Sequence, residues 1–246
     1  MTHCITITIT KTAGSTPRDA GTQMMVWEDR TEGTIGGGRL EFDAIAQARA
    51  MLKNGTAQQQ QTIPLGPRLG QCCGGSVSLL WEQADAMTAQ QTRPLWIYGA
   101  GHVGRAIVNV MAPLPDFTIK WVDTAADRFP QTETTTLIAA NPAAAVKHAP
   151  ANAEHLILTY SHDMDLALCH AILSHDFNSV GLIGSATKWV RFQSRLTALG
   201  HSPAHVARIA CPIGDPSLGK HPAALALGVA TAMISNQTHR TKDRIA

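Results

Sequence analysis

The chain has 246 residues, enough for one or two domains with sizeable cores, and two is the reading adopted. Its 20 lysines and arginines nearly balance 18 aspartates and glutamates, and a net charge of +2 gives no electrostatic case for nucleic acid or an anionic membrane as partner. The five cysteines, Cys4, Cys72, Cys73, Cys169 and Cys211, lack a spaced disulfide framework and point to a reducing cytoplasm; the start has neither region of a signal peptide, and no run approaches the ~18 apolar residues of a membrane span.

Along the chain, Ile5, Ile7 and Ile9 alternate with Thr6, Thr8 and Thr10, the period-two pattern of a half-buried strand. A turn at Gly14-Ser15-Thr16-Pro17-Arg18 leads to a strand over 22–27, the triple glycine Gly36-Gly37-Gly38, a helix over 40–53, a polar glutamine run at 58–61 placed in a loop, and a strand over 77–81. Residues 82–93 are polar without periodicity and are taken as a linker. The pattern then becomes strand, glycine turn, helix, repeated: 95–98, 104–111, 118–122, 136–139, 155–159, 166–175 and 180–183. The expected architecture is α/β: a smaller N-terminal α+β domain over 1–85 and a C-terminal Rossmann-like doubly wound parallel sheet over 94–246. A final segment, 223–234, follows Pro222 and is apolar almost all round, which suggests burial against the sheet or at a subunit interface.

Five motifs carry the chemistry. Gly99-Ala100-Gly101-His102-Val103-Gly104 follows a predicted strand and opens a predicted helix, and Asp123 ends the next strand 22 residues after Gly101. In that context the glycines allow a tight turn and close phosphate approach, and helix N–H groups favour negative charge. Gly99, Gly101, His102, Gly104 and Asp123 are therefore candidate cofactor-binding residues, with NAD as one ligand the motif would suit. His162, Asp163 and Asp165 follow a strand end, where α/β ligands sit. His162 is the functional candidate, and one of the two aspartates is expected to cap the following helix. Gly184 and Ser185 form a second glycine turn, followed by Lys188, Arg191 and Arg195 at helical spacing, one cationic face. Lys220 precedes the terminal helix, suited to an anion. In Gly70-Gln71-Cys72-Cys73-Gly74-Gly75, two adjacent thiols lie in glycines. Neighbouring cysteines do not suit a tetrahedral zinc site, so Cys72 and Cys73 read as soft ligands approaching a metal or a sulfur-bearing cofactor.

Together, Gly14-Ser15-Thr16-Pro17-Arg18, Gly36-Gly37-Gly38-Arg39-Leu40-Glu41, Gly70-Gln71-Cys72-Cys73-Gly74-Gly75 and the Gly99–Gly104 turn, in this order, resemble the XdhC family of xanthine dehydrogenase accessory proteins. Trp121-Val122-Asp123, Arg128-Phe129-Pro130, Ile183-Gly184-Ser185 with Lys188, Arg191 and Phe192, Cys211-Pro212-Ile213-Gly214, and Gly219-Lys220 extend the likeness over nearly the whole chain. The resemblance implies a cytoplasmic chaperone rather than an enzyme, a homodimer. Such a protein binds molybdenum cofactor (molybdopterin) as cargo, shields it while a cysteine desulfurase replaces an oxo ligand with sulfido, and delivers it to the molybdenum subunit of apo-xanthine dehydrogenase. On this reading the Gly99–Gly104 turn holds the pterin phosphate, and Cys72 and Cys73 approach the molybdenum. The family usually carries a helix before the first strand, which here starts near His3, so either the sequence starts late or the helix is absent; the chain departs further in Thr187 and Val190, and in reading Asp123-Thr124-Ala125 where Asp-Ser-Arg is usual. The last change removes a cation suited to a 2′-phosphate and favours NAD over NADP. The alternative is an NAD-dependent oxidoreductase with a redox-active cysteine pair.

Overall fold

The computed structural model describes residues 4–66, 74–84 and 92–243. The chain forms two compact units, Met1–Gln90 and Gln91–Ala246.

In the first unit the alternating isoleucines form β1 (Cys4–Ala13), followed by β2 (Gln23–Val26), β3 (Thr31–Gly33), α1 (Gly38–Asn54), β4 (Gln58–Pro64) and β5 (Ser76–Ala84). They make one antiparallel sheet in the order β3-β2-β1-β5-β4. Ile5, Ile7 and Ile9 point to one face, where Leu40, Ala44, Ala48 and Met51 of α1 cover them. Small alanines on α1 let the helix lie close to the sheet, and Trp81 fills the remaining space while its indole N–H donates to the Ala44 carbonyl at 3.1 Å. The glutamine run is a strand, not the expected loop. Gln58 to Gln61 pair with Glu82 to Leu79 of β5. An edge strand needs backbone partners on one side only, and polar side chains there discourage further pairing. β5 likewise continues to Ala84, so the strand takes in the first residues of the expected linker, and β6 takes its last, Arg93.

In the second unit, β6 (Arg93–Tyr98), α2 (His102–Met111), β7 (Phe117–Asp123), β8 (Thr135–Ile138), α3 (Pro142–Ala145), β9 (Glu154–Ile157), α4 (His162–Leu173), β10 (Ser179–Leu182), α5 (Ala186–Ala198), α6 (Pro203–Val206), β11 (Ile209–Ala210) and α7 (Pro222–Asp243) follow one another. The six strands are parallel, in the order β8-β7-β6-β9-β10-β11. This is the dinucleotide-binding order, with its reversal, and hence its crevice, between β6 and β9. One face is covered by α2 and α7 over Leu95, Ile97, Trp121 and Leu156. The other carries α3, α4 and α5 over Tyr98, Ile157, Val180 and Leu182. The terminal helix is amphipathic in this setting: Ala226, Val229, Ala230 and Met233 are buried within the unit, while Leu227 and Ile234 are exposed. Among the described residues no helix is long and apolar enough to cross a membrane.

The amino ends of the strands are held by Glu154 on β9. Its carboxylate is 3 % exposed, ion-pairs with Arg93 at 2.6 Å and accepts from the Asn178 amide and the Ser179 hydroxyl. Next in β9, His155 stacks on Tyr98, whose hydroxyl lies 3.2 Å from His155 Nδ1. His155 Nε2 is buried without a partner. Burial, then the nearby His175, pushes the His155 pKa down to about 4. The unfolded chain, with an ordinary value near 6.5, therefore takes up a proton that the folded one refuses. Stability contributed by this site is complete above about pH 6.5 and is lost as the pH falls toward 4. In chemical denaturation across that window the wild type should lose more stability than a His155→Phe variant. Parallel profiles would refute the assignment.

Candidate functional site

The turn after β6 is shaped by what its glycines exclude. Gly99 has φ +115°, and a Cβ on it would lie 2.5 Å from the Leu158 carbonyl oxygen. A Cβ on Gly104 would collide with the Gly99 carbonyl oxygen. Gly101 is different: among the described residues nothing lies within 4 Å of where its Cβ would be. Gly99 and Gly104 serve the protein's own packing, whereas Gly101 keeps open the space that an approaching phosphate would need. No side chain caps α2, so its first-turn N–H groups are available to an anion. His102 opens the helix and is exposed, and Arg105 braces the turn by donating from Nε to the Ala100 carbonyl at 2.9 Å.

Asp123 ends β7 and is 3 % exposed. One carboxylate oxygen accepts from the Ala100 N–H at 2.6 Å. The other accepts from the Thr124 N–H at 2.6 Å and from its hydroxyl at 3.2 Å. Arg128 Nε lies 2.8 Å from that second oxygen, an ion pair whose N–H is not aimed along the line to the acceptor and so makes no hydrogen bond. The Asp123 carboxylate is thus committed to holding the glycine turn. Arg128, which spacing alone did not single out as a site residue, places a cation beside the Asp123 carboxylate at the end of β7.

At the next strand ends, Ser161 caps α4 by accepting from Met164 N–H, so neither aspartate is the expected cap. Asp163 is exposed and faces Arg195 at 3.5 Å. Asp165 is buried and accepts from the Thr159 hydroxyl at 2.6 Å. Lys188 turns inward to Asp165 at 2.6 Å and to the Ile183 carbonyl at 2.9 Å, with 10 % of its side chain exposed. The expected cationic face of α5 is therefore split: Lys188 is internal, while Arg191 and Arg195 are exposed. Ser185 caps α5 through the Lys188 N–H. A Cβ on Gly184 would press to 3.0 Å from Lys188 Cδ and 3.2 Å from Cys211 Sγ. Burial pushes the Cys211 thiol up, Lys188 opposing and Asp165 adding to the shift; Cys169 is pushed up by burial as well. His162 is exposed and edges onto Phe192, which also carries the Lys188 ammonium on its ring. Gly99, Gly101, His102, Gly104 and Asp123 thus form one group, and His162, Gly184, Ser185 and Lys188 a second. Lys220 is exposed in the loop before α7, joined to neither by any described contact.

In the first unit, Glu41 organises the triple-glycine loop. One carboxylate oxygen accepts from the Thr34 hydroxyl at 2.5 Å and from the N–H groups of Ile35 at 2.9 Å and Gly37 at 3.0 Å. Pro17 packs so closely on Gly36 that a Cβ there would be 2.7 Å away, and Gly75 sits where a Cβ would strike the Ala13 and Ser15 carbonyls. The loops at 14–18, 36–38 and 74–75 therefore converge. Cys72 and Cys73 lie outside the described residues. Among the described residues, no group of three or more His, Cys, Asp or Glu side chains is placed to hold a metal ion.

Strand order, glycine turn and acidic strand end define a Rossmann domain of the dinucleotide-binding class, joined in one chain to a smaller unit built around glycine loops. The chain belongs to the XdhC and CoxI family: residues 95–233 match the XdhC Rossmann domain and residues 2–63 the XdhC and CoxI family description. It is 27 % identical over 234 residues to the uncharacterized protein YqeB of Escherichia coli (strain K12), an alignment covering 90 % of this chain and 41 % of that protein. The chain thus spans about two fifths of that curated relative's length. A crystal structure described as a xanthine dehydrogenase (BH1974) from Bacillus halodurans has the same fold, with a TM-score of 0.75 at 17 % identity, over 97 % of this chain and 92 % of that one.

Two predictions follow from the glycines and from Glu41. Gly104→Ala should cost ~3 kcal/mol or prevent folding, because the obstacle is rigid backbone, whereas Gly101→Ala should cost no more than ~1 kcal/mol; equal losses in denaturant titration would contradict the division of roles. For Glu41, burial raises the pKa, but the hydrogen bonds from Thr34, Gly37, Ile35 and Gly36 together outweigh it and hold it below its ordinary value. Its contribution is present above the unfolded value and is lost as pH falls through the folded one. Glu41→Gln should therefore lower the unfolding midpoint at pH 7, with the gap narrowing as the pH falls below the ordinary carboxylate value near 4.5, as followed by circular dichroism.

Proposed function

We propose that this chain is a maturation chaperone that binds molybdenum cofactor as cargo, protects it during sulfuration by a cysteine desulfurase, and delivers it to apo-xanthine dehydrogenase. The observation that carries this reading is the turn at Gly99 to Gly104 in a chain of this family: Gly101 alone of the three faces open space, beside uncapped helix N–H groups. A terminal phosphate is the part of the cargo with the charge and size for such a cradle. Cys72 and Cys73 supply the soft sulfur chemistry suited to molybdenum. The desulfurase carries out the sulfur exchange, so the chain itself needs to bind and release rather than catalyse. The reading places the protein in the cytoplasm as a homodimer, in keeping with five cysteines that lack a spaced disulfide framework and with the exposed Leu227 and Ile234 on α7.

The test uses anaerobically purified protein mixed with molybdenum cofactor released from a donor enzyme and passed through a desalting column. Molybdenum and oxidised-pterin fluorescence should co-elute with the protein in near-stoichiometric amount. Retention should fall at least ~tenfold in Gly101→Ala, the scale of losing charge-assisted contacts, and in the Cys72→Ser/Cys73→Ser double variant. Absence of retention by the wild type, together with NADH binding and hydride transfer to an acceptor, would overturn the chaperone in favour of an NAD-dependent oxidoreductase.

A further inference from the structure

A dinucleotide-binding Rossmann domain usually offers the carboxylate at the end of its second strand to the adenosine ribose, whose hydroxyls donate to it. Here that carboxylate is occupied. Asp123 accepts from Ala100 N–H on one oxygen and from Thr124 N–H and hydroxyl on the other, is 3 % exposed, and has its charge offset by Arg128 at 2.8 Å. With about three of its four acceptor sites taken and 3 % of the residue exposed, the carboxylate offers little to an arriving ribose diol.

Arg128 has the opposite character. Its side chain keeps 34 % of its surface exposed, and its Nε, though buried, has no aligned acceptor. The position of the guanidinium is set from three sides. The main-chain carbonyl of Arg128 accepts from Arg105 Nη2 at 2.7 Å. Phe129, the next residue, packs edge-on against Trp121, whose indole N–H donates to the Gly99 carbonyl at 3.0 Å. The guanidinium itself lies 4.6 Å from the centre of the Tyr160 ring. Arg128 follows β7 and Tyr160 follows β9, with β6 between them, so this stack passes across the carboxyl end of β6, where the glycine turn begins. A partly exposed guanidinium thus lies 2.8 Å from the carboxylate at the end of β7, the strand end to which this fold class brings the adenosine ribose, and its planar fork of donors matches a phosphate.

We propose that the Rossmann unit binds a 2′-phosphorylated adenosine nucleotide, with its pyrophosphate on the Gly99 to Gly104 turn and its 2′-phosphate on Arg128, and that it discriminates against the nucleotide lacking that phosphate. This adds a second ligand class to the cargo of the preceding reading, competing with it for the same turn, and it stands whether or not that cargo is retained. It also reverses the preference for NAD over NADP that Ala125 suggested, because the cation comes from three residues further along the chain.

Calorimetric titration of the full chain, free of molybdenum cofactor, with 2′-phospho-ADP-ribose and with ADP-ribose tests it. The 2′-phosphorylated probe should bind at least ~tenfold more tightly, the scale of one charge-assisted contact. Arg128→Gln should reduce the ratio to within ~twofold by weakening the phosphorylated probe alone. Since that substitution leaves Asp123 buried without its cation, the same ratio is measured independently on the wild type with 2′,5′-ADP against 5′-AMP. Equal affinities within either pair, tighter binding of the unphosphorylated probe, or no binding of any probe would overturn the proposal. Loss of molybdenum retention with this ratio intact would count against the chaperone alone.

Discussion

The contact on which the second unit depends is the one between Gly104 and the Gly99 carbonyl, a separation that leaves no room for a side chain. It allows α2 to start directly at the end of β6. The same Gly99 carbonyl accepts from Trp121 on β7, and Gly99 itself is pressed against Leu158, just beyond β9. One backbone group thus ties three neighbouring strands to one helix terminus. With the turn so pinned, the uncapped N–H groups of α2 have a fixed direction toward the open position at Gly101.

Charge on the carboxyl edge of the sheet is arranged around that turn in two internal pairs. Asp123 with Arg128 and Asp165 with Lys188 each place a carboxylate with at most 3 % exposure beside a cation. A carboxylate so buried is costly unless it is paired and hydrogen-bonded, and each accepts from backbone N–H as well: Asp123 from Ala100 and Thr124, Asp165 from Thr159. The pairs differ in what they leave to solvent. Lys188 is almost wholly internal, so its pair serves the junction of β9, α4 and α5, whereas Arg128 remains partly exposed. At the opposite edge Glu154 and Arg93 do the same structural work at the amino ends of the strands, where ligands of this fold class do not bind.

Much of this was legible in the linear chain, and the exceptions have physical causes. The central strands of the Rossmann unit, β6, β9 and β10, were visible because both their faces are largely buried, which makes them apolar runs, and the glycine turn because its context of strand, turn, helix and acidic strand end is specific. The glutamine strand was not, since an edge strand is held by backbone hydrogen bonds that side-chain polarity does not report. Asp163 and Asp165 lie two residues apart on one helix turn and had equal claims as caps. One is exposed and the other buried because two residues turn an α-helix by about 200°, and Ser161 took the capping role from both. Lys188 and Arg191 likewise share a helical stripe, and only the proximity of Asp165 on another helix separates an internal ammonium from a solvated guanidinium. The short strands β3 and β11 carry too few residues to show any period.

From its sequence alone the chain had its two-unit α/β plan, its family likeness and the location of its glycine turn, since glycines at fixed spacing and runs of β-branched residues act locally and leave a local trace. Which oxygen of Asp123 meets which donor, that Arg128 pairs with that carboxylate, and that Lys188 turns inward were decided only by tertiary structure. Those outcomes depend on groups brought together from separate strands and helices, and a buried charge takes whichever partner the folded chain sets within reach.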